Sequence, residues 1–214
     1  MDYKAVIFDL DGTLLDSMGV WDNIDKTFFK KRNLQKQEDY SKNVQGLTLE
    51  EIAKYIIETY KLEESIEDIA KEIEELAYEQ YKNNVKLKKG AYEYLVYLME
   101  KGIKIGIATA CEKKLYEVCL KNNKVYDFFN AIVDIKCVEK GKEFPDIYLL
   151  CAKEIGVEPK DCIVFEDILK AIYGVKKAGM KAYIIYEEYN NDDREEIFKE
   201  CDEYITDFRE MIEE

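Results

Sequence analysis

Six side chains of chemically useful type recur at comparable places in this chain. Asp9 and Asp11 lie in Asp-Leu-Asp-Gly-Thr, Thr109 follows an apolar run, Lys142 follows Gly141, and Glu166 and Asp167 follow another apolar run. Four carboxylates, Asp9, Asp11, Glu166 and Asp167, would repel one another if gathered and would need a cation. They offer oxygen alone, which selects a hard ion such as Mg²⁺. Lys142 and that ion could hold a dianionic phosphate, with Thr109 and the Ala110 N–H donating to its oxygens. Asp9 could then attack phosphorus to form an aspartyl-phosphate. Asp11, two residues on, could protonate the leaving oxygen and later activate water. The chain contains no histidine, which excludes Ser-His-Asp and Cys-His catalysis, His-carboxylate iron and HExxH zinc.

These residues work together only if the fold gathers them. Ala5-Val6-Ile7-Phe8 is short and apolar and reads as a buried strand. Similar runs are Ile103 to Ala108, Cys162 to Phe165 and Ala182 to Tyr186, with a weaker one at Ala131-Ile132-Val133. Helical patterns lie between them. Ala91 to Lys101 ends at Gly102. Pro145 suits the first position of a helix carrying Ile147, Leu150, Cys151 and Ile155. Ile168, Ala171, Ile172, Val175 and Ala178 share one face. Strands alternating with helices predict α/β architecture, a doubly wound parallel sheet. In such a sheet ligands bind outside the carboxyl ends of the strands, where all the singled-out residues fall.

Residues 17–85 break the rhythm. Trp21, Ile24 and Phe28 form one helical stripe. Leu49, Ile52, Ala53, Ile56, Ile57 and Tyr60 form a second, opened by Thr48 and Glu51 as a capping box. A third runs from Ile66 to Tyr81 after Ser65. The expected organisation is an α/β core of residues 1–16 and 86–214 with an all-helical insertion at 17–85.

The chain has 214 residues and a formal charge of −14, which argues against nucleic-acid binding. Its six cysteines include no CxxC pair, so free, mostly buried thiols are expected. With no signal pattern and no long apolar run, a cytoplasmic protein that does not engage membranes is expected.

Taken singly, each motif has a plainer reading. Asp-x-Asp-Gly is a common turn, Thr109 could cap a helix, Lys142 could be a solvated lysine, and Glu166-Asp167 could favour a helix dipole. Their joint order and strand-end placement argue against that. The sequence resembles the haloacid dehalogenase superfamily, in its phosphoryl-transfer branch with a helical cap. Phe8-Asp9-Leu10-Asp11-Gly12-Thr13-Leu14-Leu15-Asp16-Ser17 resembles the first motif and Ala108-Thr109 the second. Gly141 to Leu149 resembles the third, and Val164-Phe165-Glu166-Asp167 running to Met180 the fourth.

The resemblance implies Asp9 as nucleophile, Asp11 as general acid/base, and Thr109 and Lys142 as phosphoryl-binding groups. It places Mg²⁺ on the Asp9 side chain, the Asp11 carbonyl and Asp167, with Glu166 behind them. It implies that residues 17–85 are a cap which opens and closes over the site. The substrate class is a small phosphorylated metabolite, a sugar phosphate or nucleotide-like monophosphate, and the chain is expected to be a monomer or weak homodimer. A phosphosugar mutase and a catalytically quiet metabolite-binding module are the alternatives. The chain departs from the family pattern at Ala110, at Ile168 after Asp167, at Gln45 before Gly46, where mutase relatives carry a basic residue, and at Leu49, where they carry an arginine.

Overall fold

Ala5–Phe8 is completely buried and forms β1, the centre of a six-stranded parallel sheet. In this computed structural model the residues described are 3–44, 48–188 and 193–212. The chain divides into two compact units, Met1–Met18 with Val85–Glu214, and Gly19–Asn84.

In the first unit, β2 (Leu15–Asp16) pairs antiparallel with β3 (Lys86–Leu87), and α5 (Ala91–Glu100) follows. Next come β4 (Lys104–Thr109), α6 (Lys113–Asn122), β5 (Ala131–Asp134), α7 (Asp146–Ile155) and β6 (Cys162–Glu166). α8 (Leu169–Lys177), β7 (Lys181–Ile185), α9 (Arg194–Glu200) and β8 (Glu203–Ile205) complete the unit. The strand order β5-β4-β1-β6-β7-β8 reverses direction at β1. β1 is therefore the switch point, and the crevice beyond its carboxyl end is where ligands bind in open parallel sheets.

Strand alternation sorts the core. Ala5 and Ile7 of β1, with Cys162 and Val164 of β6, pack with Ile147, Tyr148 and Cys151 of α7 and Ile172 and Val175 of α8. On the other parity, Phe8 stacks on Phe165 with ring centroids 5.4 Å apart, beside Tyr94 and Phe208. Asp9 continues the Ala5–Ile7 parity, and Glu166 continues that of Cys162 and Val164. Both carboxylates thus fall on the α7 side of the sheet.

The second unit is helical: α1 (Val20–Lys31), α2 (Tyr40–Val44), α3 (Leu49–Tyr60) and α4 (Ile66–Asn83). Thr48 Oγ1 accepts the Glu51 N–H (3.3 Å) and Glu51 Oε2 accepts the Thr48 N–H (2.8 Å), which closes the capping box. Arg32 lies over the Phe28 ring and pairs with Glu64 (2.9 Å) and Glu72 (2.8 Å).

Several local expectations need correction. Trp21 is exposed, and the buried face of α1 is Val20, Ile24, Phe28 and Phe29. Ile168 caps α8 from outside in extended backbone and is exposed, so it is no part of the buried stripe. Pro145 precedes α7 rather than opening it. The thiols are free and mostly buried as expected, Cys137 being exposed and Cys201 half-buried. The edge strand β8 and the short β2–β3 pair carry too few apolar residues to announce themselves. Gln45 and Gly46 lie outside the described residues. No helix among the described residues is long and apolar enough to cross a membrane.

Candidate active site

Asp9 leaves β1 with its N–H still on the ladder, donating to the Phe165 carbonyl at 2.9 Å. That bond carries the strand one residue further and holds the Asp9 side chain at the crevice. The chain then turns tightly. Thr13 N–H and Leu15 N–H both donate to the Leu10 carbonyl (3.2 and 2.8 Å), and Gly12 adopts a φ of +82°. A Cβ at Gly12 would run into the Asp167 carboxylate, so the turn needs glycine both for its backbone angle and for the close approach.

Asp9, Glu166 and Asp167 are all buried, and one carboxylate oxygen from each lies within 4.8 Å of the others. Lys142, in the loop before α7, donates from Nζ to Asp9 Oδ1 and to Glu166 Oε1, the latter at 2.8 Å. Thr13 Oγ1 donates to Asp167 Oδ1 at 3.3 Å. Tyr148 donates from its hydroxyl to Glu166 Oε1 at 2.8 Å, while Glu166 Oε2 is buried without a hydrogen-bond partner among the described residues.

The electrostatics follow from this crowding. Burial pushes the Glu166 carboxyl well above the usual carboxylate range. Lys142 opposes the shift, and Asp9 and Asp167 add to it. Burial lowers the Lys142 ammonium, but Asp9 and Glu166 outweigh it and the net shift is upward. Lys142 thus keeps its proton, while Glu166 reports a cluster carrying more acid than one ammonium can balance. Were all three carboxylates ionised, one ammonium would leave two negative charges uncompensated, which is why Glu166 is held toward its neutral form. An oxygen-only set with that deficit and an orphaned buried carboxylate oxygen fits a hard divalent cation.

The remaining predicted residues lie at or just past the carboxyl ends of β1 and β4. Asp11 is half-buried and accepts from Ser17 Oγ at 2.7 Å; its carboxylate is not one of the three in the cluster. Thr109 ends β4, fully buried, and its Oγ1 accepts the Cys111 N–H at 3.0 Å. Ala110 follows it, exposed at a bend. Sequence reasoning missed the braces: Ser17 on Asp11, Thr13 on Asp167 and Tyr148 on Glu166. Tyr148 alone left a signal, because a tyrosine on the buried face of a predicted helix needs a partner for its hydroxyl.

The haloacid dehalogenase-like hydrolase family matches residues 6–185. The chain belongs to that family. Among curated family relatives, the phosphorylated carbohydrates phosphatase of Thermotoga maritima is 26% identical over 178 residues, covering 83% of this chain and 82% of the relative. The β-phosphoglucomutase of Bacillus subtilis is 30% identical over 188 residues, covering 84% and 81%. Among solved structures, CbbY from Rhodobacter sphaeroides in complex with phosphate superposes with a TM-score of 0.78. It covers 98% of this chain and 96% of its own at 22% identity, a likeness of fold.

Proposed function

We propose that this family member is a Mg²⁺-dependent phosphatase that hydrolyses a small phosphorylated metabolite through an aspartyl-phosphate. The observation that carries the reading is the Lys142 ammonium set between Asp9 and Glu166 inside a buried, oxygen-only carboxylate cluster. Two of the relatives are named for acting on phosphorylated sugars, which supports a sugar phosphate or similar monoester.

Asp9 is the nucleophile: it is buried at the switch point and contacted by a cation. Lys142 neutralises charge on the phosphoryl group as Asp9 approaches. Thr109 already accepts a hydrogen bond, so its own O–H proton is assigned to a phosphoryl oxygen, with the Ala110 N–H beside it. Asp11 lies two residues from the nucleophile with one oxygen on Ser17. It protonates the leaving alcohol and afterwards takes a proton from the attacking water. Asp9, Asp167 and the Asp11 carbonyl would hold Mg²⁺, with Glu166 behind them. Bound there, the ion would supply charge neutralisation to the phosphoryl oxygens. The helical unit is assigned the selection of substrate.

The test is phosphate release from p-nitrophenyl phosphate and a panel of phosphorylated metabolites, with Mg²⁺ and with EDTA. Mg²⁺-dependent release is expected. A protein that binds a metabolite but releases no phosphate from any of them would be the binding module instead.

A further inference from the structure

Tyr148 is completely buried in α7, packed in the core with Ile147 and Cys151. A phenylalanine would fill the same space, so packing does not account for the hydroxyl. A buried hydroxyl is costly unless it finds a partner, and this one finds Glu166 Oε1 at 2.8 Å. The same oxygen takes the Lys142 ammonium at 2.8 Å, and Lys142 also contacts Asp9 Oδ1. A carboxylate oxygen has two lone-pair sites, which the phenol and the ammonium together occupy.

Glu166 Oε2 is buried without a hydrogen-bond partner among the described residues. The last torsion of a glutamate is broad, so the carboxylate plane is set by its donors. Among the described residues these are Lys142 and Tyr148. Lys142 is a flexible chain from a loop, whereas Tyr148 projects from a packed helix and has little freedom of its own. Tyr148 is therefore the fixed reference of the three.

We infer that Tyr148 is a positioning residue: its hydroxyl holds Glu166 Oε1 where that oxygen also receives Lys142, and so sets the ammonium against Asp9. The kinetic consequence rests on the phosphatase reading above; the contact itself does not.

A double-mutant cycle of Tyr148→Phe and Glu166→Ala tests it, read in turnover and in urea unfolding. Losing the fixed donor lets Glu166, and with it Lys142, drift from Asp9, so Tyr148→Phe should lower kcat about tenfold or more while KM changes less than about threefold. In the Glu166→Ala background the same substitution should change kcat less than about threefold, because the group it acts through is gone. If Glu166→Ala does not fold, Glu166→Gln replaces it; the neutral acceptor should then reduce the Tyr148→Phe loss below that in the wild-type background. Equal losses in both backgrounds would show a role independent of Glu166 and overturn the inference. Unfolding reads the contact without substrate. Coupling there, in a protein that hydrolyses no monoester, would sink the phosphatase reading and leave the Tyr148–Glu166 contact intact. Additive unfolding effects would overturn the contact itself.

Discussion

Gly174 of α8 lies against the Lys142 carbonyl, so close that a Cβ there would overlap that oxygen and also come within 2.9 Å of the Phe144 carbonyl. The loop that delivers the site's ammonium is thus seated on a helix backbone, and Lys177 Nζ ties the same loop at the Glu143 carbonyl, 3.0 Å away. Gly174→Ala opposes two effects. Alanine favours the helix by about 1 kcal/mol, and overpacking costs about 1–3 kcal/mol. Because the obstruction is backbone rather than a mobile side chain, overpacking should win. Thermal unfolding should show a midpoint lower by a few degrees. Turnover should fall about tenfold or more as Lys142 shifts. A variant with unchanged midpoint and turnover would mean that the loop and α8 part without cost.

Asp9→Asn keeps the shape of the side chain and an oxygen for Lys142, but an amide is a very poor nucleophile. The folded protein should survive with turnover reduced about a thousandfold or more. Purified variant retaining above about a tenth of wild-type turnover, less than one decade of barrier, would remove Asp9 from the nucleophile's place.

Asp167→Ala removes one oxygen donor and the acceptor of the Thr13 hydroxyl. The Mg²⁺ concentration for half-maximal activity should rise about tenfold or more. In the wild type, Mg²⁺ should raise the thermal midpoint by binding only the folded state and relieving the carboxylate repulsion, and EDTA should reverse both effects. Identical Mg²⁺ titrations for wild type and variant would exclude Asp167 as a ligand.

Phosphatase and mutase are separated by what happens to the phosphate. A mutase must hold a bisphosphate that turns round, which asks for a second cationic grip, best supplied by arginine. Leu49 opens α3 at the place where the family resemblance implies a mutase's arginine, and Gln45 lies outside the described residues. β-Glucose 1-phosphate should therefore not be efficiently converted to glucose 6-phosphate, even with a bisphosphate primer. A coupled glucose-6-phosphate dehydrogenase assay checks this, and rapid isomerisation with little free phosphate would favour the mutase.

On the Phe8 side of the sheet, Asp207 caps the last 3₁₀ turn, accepting from the Arg209 side chain and N–H. The Arg209 hydrogen bonds hold its carboxyl below the usual range, against a smaller opposing effect of burial, with Lys89 assisting. A depressed folded-state pKa means its contribution is present above the unfolded value of about 3.9 and is lost as pH falls below it. Asp207→Asn should lower stability at pH 7 and flatten the decline below pH 4. Unfolding midpoints across that range that parallel the wild type would contradict this.

The local signals and the tertiary outcome divide cleanly along the chain. The motifs around Asp9, Thr109 and Glu166-Asp167 were legible because buried parallel strands read as apolar runs, and the residue after each run must lie at the carboxyl edge; Lys142, in a loop, was legible only within the motif Gly141 to Leu149. Helices α1, α3 and α4 were legible from periodicity, with Thr48 and Ser65 capping the last two, whereas the short α2 left no stripe to read. Which helical residues stay exposed was not, as Trp21 and Ile168 show, because periodicity names a face and only packing decides its width. Tertiary structure alone decided the partners: Tyr148 with Glu166, Thr13 with Asp167, and Gly174 against Lys142. Those contacts join residues 18, 154 and 32 positions apart. Sequence spacing sets geometry within a strand or a helix, whereas the meeting of separate elements depends on strand order and on how closely each helix packs on the sheet.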